Sequence, residues 1–174
     1  AEAVALSCVR PEGPKRTIVC TAMDFPSAVY LYKAQQDFGF DLRIVPALED
    51  LSVPAERIVD AIDDRTAAVC LSHVLFRSSY IVDPAPVIEK AHAVGAVVIL
   101  DGYQSAGIIP VDVTALGVDF FVGGCLKWLC GGPGNAFLYT APWVKARTRP
   151  RLTGWLSRTA PFAFDIDATD VRDD

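Results

Sequence analysis

Apolar positions in this chain fall into two patterns. Short unbroken apolar runs are separated by segments in which apolar residues recur every three or four positions. The runs Thr17–Ala22, Leu42–Val45, Thr66–Leu71, Ala96–Leu100, Asp119–Val122 and Ala136–Tyr139 predict strands. Ala96–Leu100 is apolar at every position, as expected of a strand covered on both faces in a parallel α/β sheet. The intervening segments predict helices. Ser27–Phe38 is stopped by Gly39. Pro54–Ile62 places Pro in its first turn and Ile58 and Ile62 on one face. A third helix is capped by Asp83, carries Pro84 at its first position, aligns Val87, Ile88, Ala91 and Val94, and ends at Gly95. Strands and helices that alternate in this way imply right-handed crossovers and a layered α/β domain. From about Arg147 the order breaks down, and Asp165–Asp174 reads as an acidic, poorly packed tail.

Composition narrows the function classes. A chain of 174 residues that is 52% hydrophobic has the length of one domain, or of part of a larger one, and enough apolar residues for an extensive core. Its net charge of −5 argues against a nucleic-acid footprint or attachment to an anionic membrane surface. No apolar stretch approaches the roughly 20 residues that span a bilayer, and the first residues lack a signal-peptide pattern. Five cysteines without a Cys-x-x-Cys, and only two histidines, argue against a zinc site or a disulfide scaffold and for a cytoplasmic chain with reduced thiols.

In open α/β sheets ligands bind beyond the carboxyl ends of the strands, so polar residues just after apolar runs are the candidates for chemistry. Four places qualify: Asp24-Phe25, Ser72-His73, Asp101-Gly-Tyr-Gln104 and Gly123-Gly-Cys-Leu-Lys127. Asp101 follows an unbroken apolar run and should emerge at the sheet edge, where a turn or capping aspartate would also sit. A lysine is ordinarily a solvated surface charge. Lys127, however, lies between two glycine-rich stretches beside Leu126, Trp128 and Leu129, an apolar setting that would favour the neutral amine a Schiff base requires. An acid for a pyridinium nitrogen and a lysine for an aldehyde are the two contacts a pyridoxal phosphate site most needs.

Three blocks, Ser72-His-Val74, Ile99-Leu-Asp-Gly-Tyr-Gln-Ser-Ala-Gly107 and Phe120-Phe-Val-Gly-Gly-Cys-Leu-Lys-Trp-Leu-Cys-Gly-Gly-Pro-Gly134, resemble the class V aminotransferase superfamily. This is the group of fold type I pyridoxal-phosphate enzymes that contains cysteine desulfurases, kynureninases and isopenicillin-epimerase-like proteins. Asp24-Phe-Pro-Ser27 and Gly154-Trp155 are similar to stretches of the kynureninase branch. The resemblance runs from about Asp24 to Trp155. It implies a three-layer α/β/α fold with a mostly parallel sheet, part of a large domain. Residues 1–146 would form the cofactor-binding core, and 147–174 would lead toward a C-terminal small domain outside this chain.

The resemblance also assigns roles. Lys127 would form the internal aldimine with pyridoxal 5'-phosphate and shuttle protons at the substrate Cα. Asp101 would pair with the pyridine nitrogen, Gln104 would hydrogen-bond the phenolic oxygen, and Phe25 would stack on the ring. His73 would sit near the cofactor, or else be a strand-end histidine satisfied by backbone. Trp155 would line the phosphate or substrate pocket, or else serve as a packing tryptophan. His92 reads as a surface residue. Where desulfurases carry His and kynureninases Tyr directly before the lysine, this chain has Leu126, and Gly124 and Cys125 replace the usual Ser/Thr. The implied function is an enzyme acting on an α-amino acid, most like kynureninase-type hydrolases or lyases, as a homodimer. A non-catalytic module of the same fold is the alternative. A receiver-like domain is disfavoured because Asp24 has no acidic partner after the first strand.

Overall fold

A computed structural model describes residues 1–172. Six strands form one sheet: β1 (Thr17–Thr21), β2 (Asp41–Val45), β3 (Thr66–Ser72), β4 (Val97–Asp101), β5 (Phe120–Gly124) and β6 (Ala136–Thr140). Their spatial order is β2-β1-β3-β4-β5-β6. The first five run parallel, and β6 returns antiparallel beside β5. All residues of β1, β3 and β5 are buried, as the unbroken apolar runs require of strands covered on both faces.

Side chains alternate between the two faces with the strand period of two. Val19, Val69, Leu71, Val98 and Leu100 pack on one side with α3 (Ala55–Asp60) and α4 (Ala85–Ala93). Ile18, Cys20, Ala68, Cys70 and Ile99 pack on the other with α1 (Glu2–Ser7), α2 (Pro26–Ala34) and, late in the chain, α6 (Pro142–Lys145). The expected three-layer α/β/α sandwich is thus present.

The helix ends follow the sequence punctuation with local changes. The segment expected as one helix to Phe38 is α-helical only to Ala34. It then tightens into a 3₁₀ turn, Gln35–Phe38, and stops at Gly39, whose φ is +90°. At α4, Asp83 Oδ1 accepts the Ala85 N–H at 3.0 Å. The other end closes as a Schellman pair: Gly95 N–H donates to His92 O (2.9 Å) and Ala96 N–H to Ala91 O (2.8 Å). Gly95, at φ +73°, supplies the left-handed residue this closure needs.

Three helices escaped the periodicity: α1, α5 (Val113–Leu116) and α6, each too short to build an apolar stripe. α5 nonetheless carries its own signal, since Asp112 Oδ1 accepts the Thr114 and Ala115 N–H groups at 3.0 and 2.9 Å.

His92 lies on the surface as expected, and its Nε2 is also 2.8 Å from Oδ2 of Asp119. Asp119 itself is buried ahead of β5. It also accepts the Val98 N–H (2.8 Å) and the Trp143 indole N–H (2.9 Å), which ties α4, β4 and α6 together at the amino ends of the strands. The tail is largely exposed, as expected of a poorly packed segment, and carries a few hydrogen bonds. Asp170 Oδ2 accepts the Thr159 N–H at 2.9 Å, and Arg172 N–H donates to Ser157 O at 2.9 Å. The last two residues of the expected acidic tail lie outside the described residues.

Candidate active site

The carboxyl ends of the strands open onto a cavity of about 580 Å³. Four residues singled out in the sequence, Phe25, Asp101, Gln104 and Lys127, line it together. They arrive on different elements: the N-cap of α2, the end of β4, the turn after β4, and the hairpin between β5 and β6. Parallel pairing of β1, β3 and β4 is what brings strand ends so far apart in sequence to one edge.

Asp101 is held by backbone. The β3–β4 register pairs it with Ser72, its carbonyl accepts the His73 N–H at 2.9 Å, and its Oδ1 accepts the Tyr103 N–H at 2.8 Å. Burial pushes its pKa from the ordinary 3.8 up to about 6. The Tyr103 hydrogen bond and Lys127 oppose the rise, and the charge of Asp24 adds to it.

Asp24, the candidate beside Phe25, does not line the cavity. It is buried beneath the cavity as a clamp, Oδ2 accepting the Thr21 N–H and Oδ1 the Ser72 N–H, each at 2.7 Å. One carboxyl therefore joins the ends of β1 and β3, and burial raises its pKa. Phe25 follows directly in an extended conformation that starts α2. Its ring meets Phe76 edge-on at 5.1 Å with one side left open, 48% exposed.

Lys127 differs from its expected setting. The apolar neighbours Leu126, Trp128 and Leu129 are themselves exposed, and so is the lysine. It is positioned by the hairpin, in which the Cys125 N–H donates to Asn135 O (3.0 Å), Gly131 N–H to Cys125 O (2.7 Å) and Cys130 N–H to Lys127 O (3.0 Å). Its Nζ lies 5.7 Å from the centre of the Tyr103 ring.

Two candidates lie elsewhere. The His73 ring does not line the cavity. It is buried with its Nδ1 unpartnered, and burial lowers its pKa against the opposing charge of Asp83. Only its backbone serves the site, through Asp101. Trp155 stands apart on the late segment, stacked on Phe164 at 5.5 Å and edge-on to Phe162 at 5.4 Å, with its indole N–H bonded to Pro161 O.

Glu2 and Tyr103 line the cavity and were not singled out in the sequence. Glu2 arrives on the unforeseen α1 and accepts the hydroxyl of the buried Tyr32. Burial raises its pKa to about 7. Tyr103 was legible only as the residue between Asp101 and Gln104, and its fit against Gly124 is a tertiary fact.

Chemically, the cavity presents the Lys127 amine, a half-buried carboxyl fixed by a backbone N–H, a second carboxyl from Glu2, an amide and an aromatic face. That set fits a flat heteroaromatic ring bearing an aldehyde and a basic nitrogen.

Comparison with known proteins agrees with this chemistry. The profile of the family described as "Aminotransferase class-V" matches residues 1–158. An uncharacterized aminotransferase, YcbU, of Bacillus subtilis (strain 168) is 34% identical over 148 residues, 85% of this chain and 39% of that protein. The kynureninase of Pseudomonas fluorescens is 34% identical over 155 residues, 87% of this chain and 36% of the enzyme. The chain thus spans somewhat under two-fifths of the length of these relatives. Among solved structures, the apo cysteine desulfurase of Thermococcus onnurineus NA1 superposes with a TM-score of 0.82 at 18% identity, over 98% of this chain and 42% of that one. The cystine C-S lyase C-DES in complex with cysteine persulfide superposes at 0.77 with 23% identity, over 91% of this chain and 43% of that one. These likenesses establish the shared fold. With the profile covering most of its length, the chain belongs to the class-V aminotransferase family.

Proposed function

We propose that this chain is the cofactor-binding core of a pyridoxal-phosphate-dependent enzyme that acts on an α-amino acid, most like the kynureninase-type hydrolases and lyases. The observation that carries the reading is the convergence of Lys127, Asp101, Gln104 and Phe25 on one cavity at the carboxyl edge of the sheet. Pyridoxal phosphate, when bound, supplies an aldehyde that joins to amines and a ring that draws electrons from the attached carbon.

The protein's own residues would do the rest. Asp101 would hold a proton on the pyridine nitrogen. Its raised pKa comes chiefly from burial, and a cation set beside it would bring that pKa down and keep the carboxylate ionised. Gln104 would donate to the phenolic oxygen, and the open face of Phe25 would cover the ring. Lys127 would be the amine that receives the aldehyde and then moves the proton at the substrate Cα. Asp24, beneath, would keep the ends of β1 and β3 in register so that Phe25 and Asp101 face the same space.

The test is spectroscopic. The protein with pyridoxal phosphate should show a visible band that borohydride abolishes, with the label recovered on the peptide containing Lys127. Lys127→Ala should lose both the band and turnover of an amino acid. A label recovered elsewhere, or turnover by Lys127→Ala at the parent rate, would overturn the reading.

The non-catalytic alternative draws on Leu126, which places an apolar side chain in the cavity wall. It expects an intact, folded protein that binds no cofactor, and tight binding would reject it.

A further inference from the structure

Tyr103 touches both charged groups of the site by different means. Its backbone N–H holds Asp101 Oδ1 at 2.8 Å, while its ring lies 5.7 Å from the Lys127 ammonium, within the roughly 6 Å over which a ring face attracts a cation. Among the described residues no carboxylate forms an ion pair with that ammonium. The ring fits where it does because residue 124 is glycine: a Cβ there would fall 2.1 Å from Cε2 of Tyr103. Gly124 is the last residue of β5, three positions before the lysine, so the strand that leads to Lys127 also makes room for its seat.

We infer that Tyr103 is a positioning residue, its ring the seat of the Lys127 amine and its backbone the anchor of the Asp101 carboxylate. A lysine side chain has many rotamers to lose, and a seat that favours one region of the cavity lowers the cost of presenting the amine. Because the Asp101 anchor is backbone, side-chain substitution at residue 103 removes the seat and leaves the anchor. The inference rests on the proposed role of Lys127, yet the ring contact can be tested without cofactor.

The cofactor-free protein is labelled with limiting acetic anhydride, and acetylation at Lys127 is measured relative to Lys33 and Lys145 in the same molecule. Tyr103→Leu keeps apolar bulk but has no ring. It should raise the relative labelling of Lys127 about two- to five-fold, the factor that corresponds to a partly exposed cation–ring contact. Tyr103→Phe should label as the parent does. Gly124→Ala, which must displace the ring, should reproduce the Tyr103→Leu increase, and the double variant should add nothing further.

With limiting pyridoxal phosphate, the fraction fixed on Lys127 by borohydride should fall in Tyr103→Leu despite the freer amine, because the amine is no longer held facing the aldehyde, and return in Tyr103→Phe. Parental labelling in Tyr103→Leu, or Leu-like labelling in Tyr103→Phe, overturns the seat. Altered labelling with unchanged fixation overturns the positioning role. If the parent fixes no cofactor on Lys127, the cofactor reading fails, while the labelling series still decides the ring contact.

Discussion

The carboxyl of Asp101 is a liability when no cation sits beside it. It is ionised at neutral pH while largely withdrawn from water, and only one backbone N–H and the distant charge of Lys127 offset that. Its pKa is higher folded than unfolded, so the folded state holds the proton more tightly. Stability from this group is present at low pH and lost as pH rises from about 3.8 to about 6. Asp101→Asn keeps an acceptor for Tyr103 and cannot ionise. It should make the cofactor-free protein more stable at pH 8, by about 2–3 kcal/mol, and nearly neutral in effect near pH 4. Urea unfolding at the two pH values checks this, and an equal difference at both would show that charge is not the cause. Asp101, Gln104 and Lys127 were readable in the sequence because each follows an apolar run on a strand whose end faces the ligand side. Glu2 and Tyr103 were not, since their place in the cavity depends on a helix too short to show a period and on a glycine 21 positions later in the sequence.

Among the elements, the knot around Asp119 does at the amino ends of the strands what Asp24 does at the carboxyl ends. Asp24 joins β1 to β3, and Asp119 joins β4 to α4 and α6. Both are buried acids whose oxygens are committed to protein donors, the condition under which a buried carboxyl is tolerated. Asp119→Ala would leave the Val98 N–H and the Trp143 indole without an acceptor, at a cost of at least about 2 kcal/mol. Thermal unfolding should register that loss with the cavity intact, so that any cofactor binding persists below the lowered midpoint. The strands and the two longer helices were legible because apolar runs and Pro/Gly punctuation act locally. The pairing of His92 with Asp119 was not, because no local pattern says which side of a helix meets a residue 27 positions later.

Across the whole molecule, the two groups proposed to hold the cofactor belong to parts of unequal depth. Asp101 ends a central strand whose residues Val98–Leu100 are fully buried between two layers. Lys127 rides a hairpin closed only by the β5–β6 pairing and a few turn hydrogen bonds at the sheet edge. Edge pairs and exposed turns open by small local fluctuations, whereas a central strand opens only when the domain does. Amide hydrogen exchange should therefore be fast at Cys125, Cys130 and Gly131 and slowest at Val98, Ile99 and Leu100. Equal protection at the two places would contradict the division. If it holds, the amine can be withdrawn and returned many times within the lifetime of the folded sheet. Cofactor exchange would then be timed by the opening of a hairpin, while the carboxylate proposed to receive the ring stays in place.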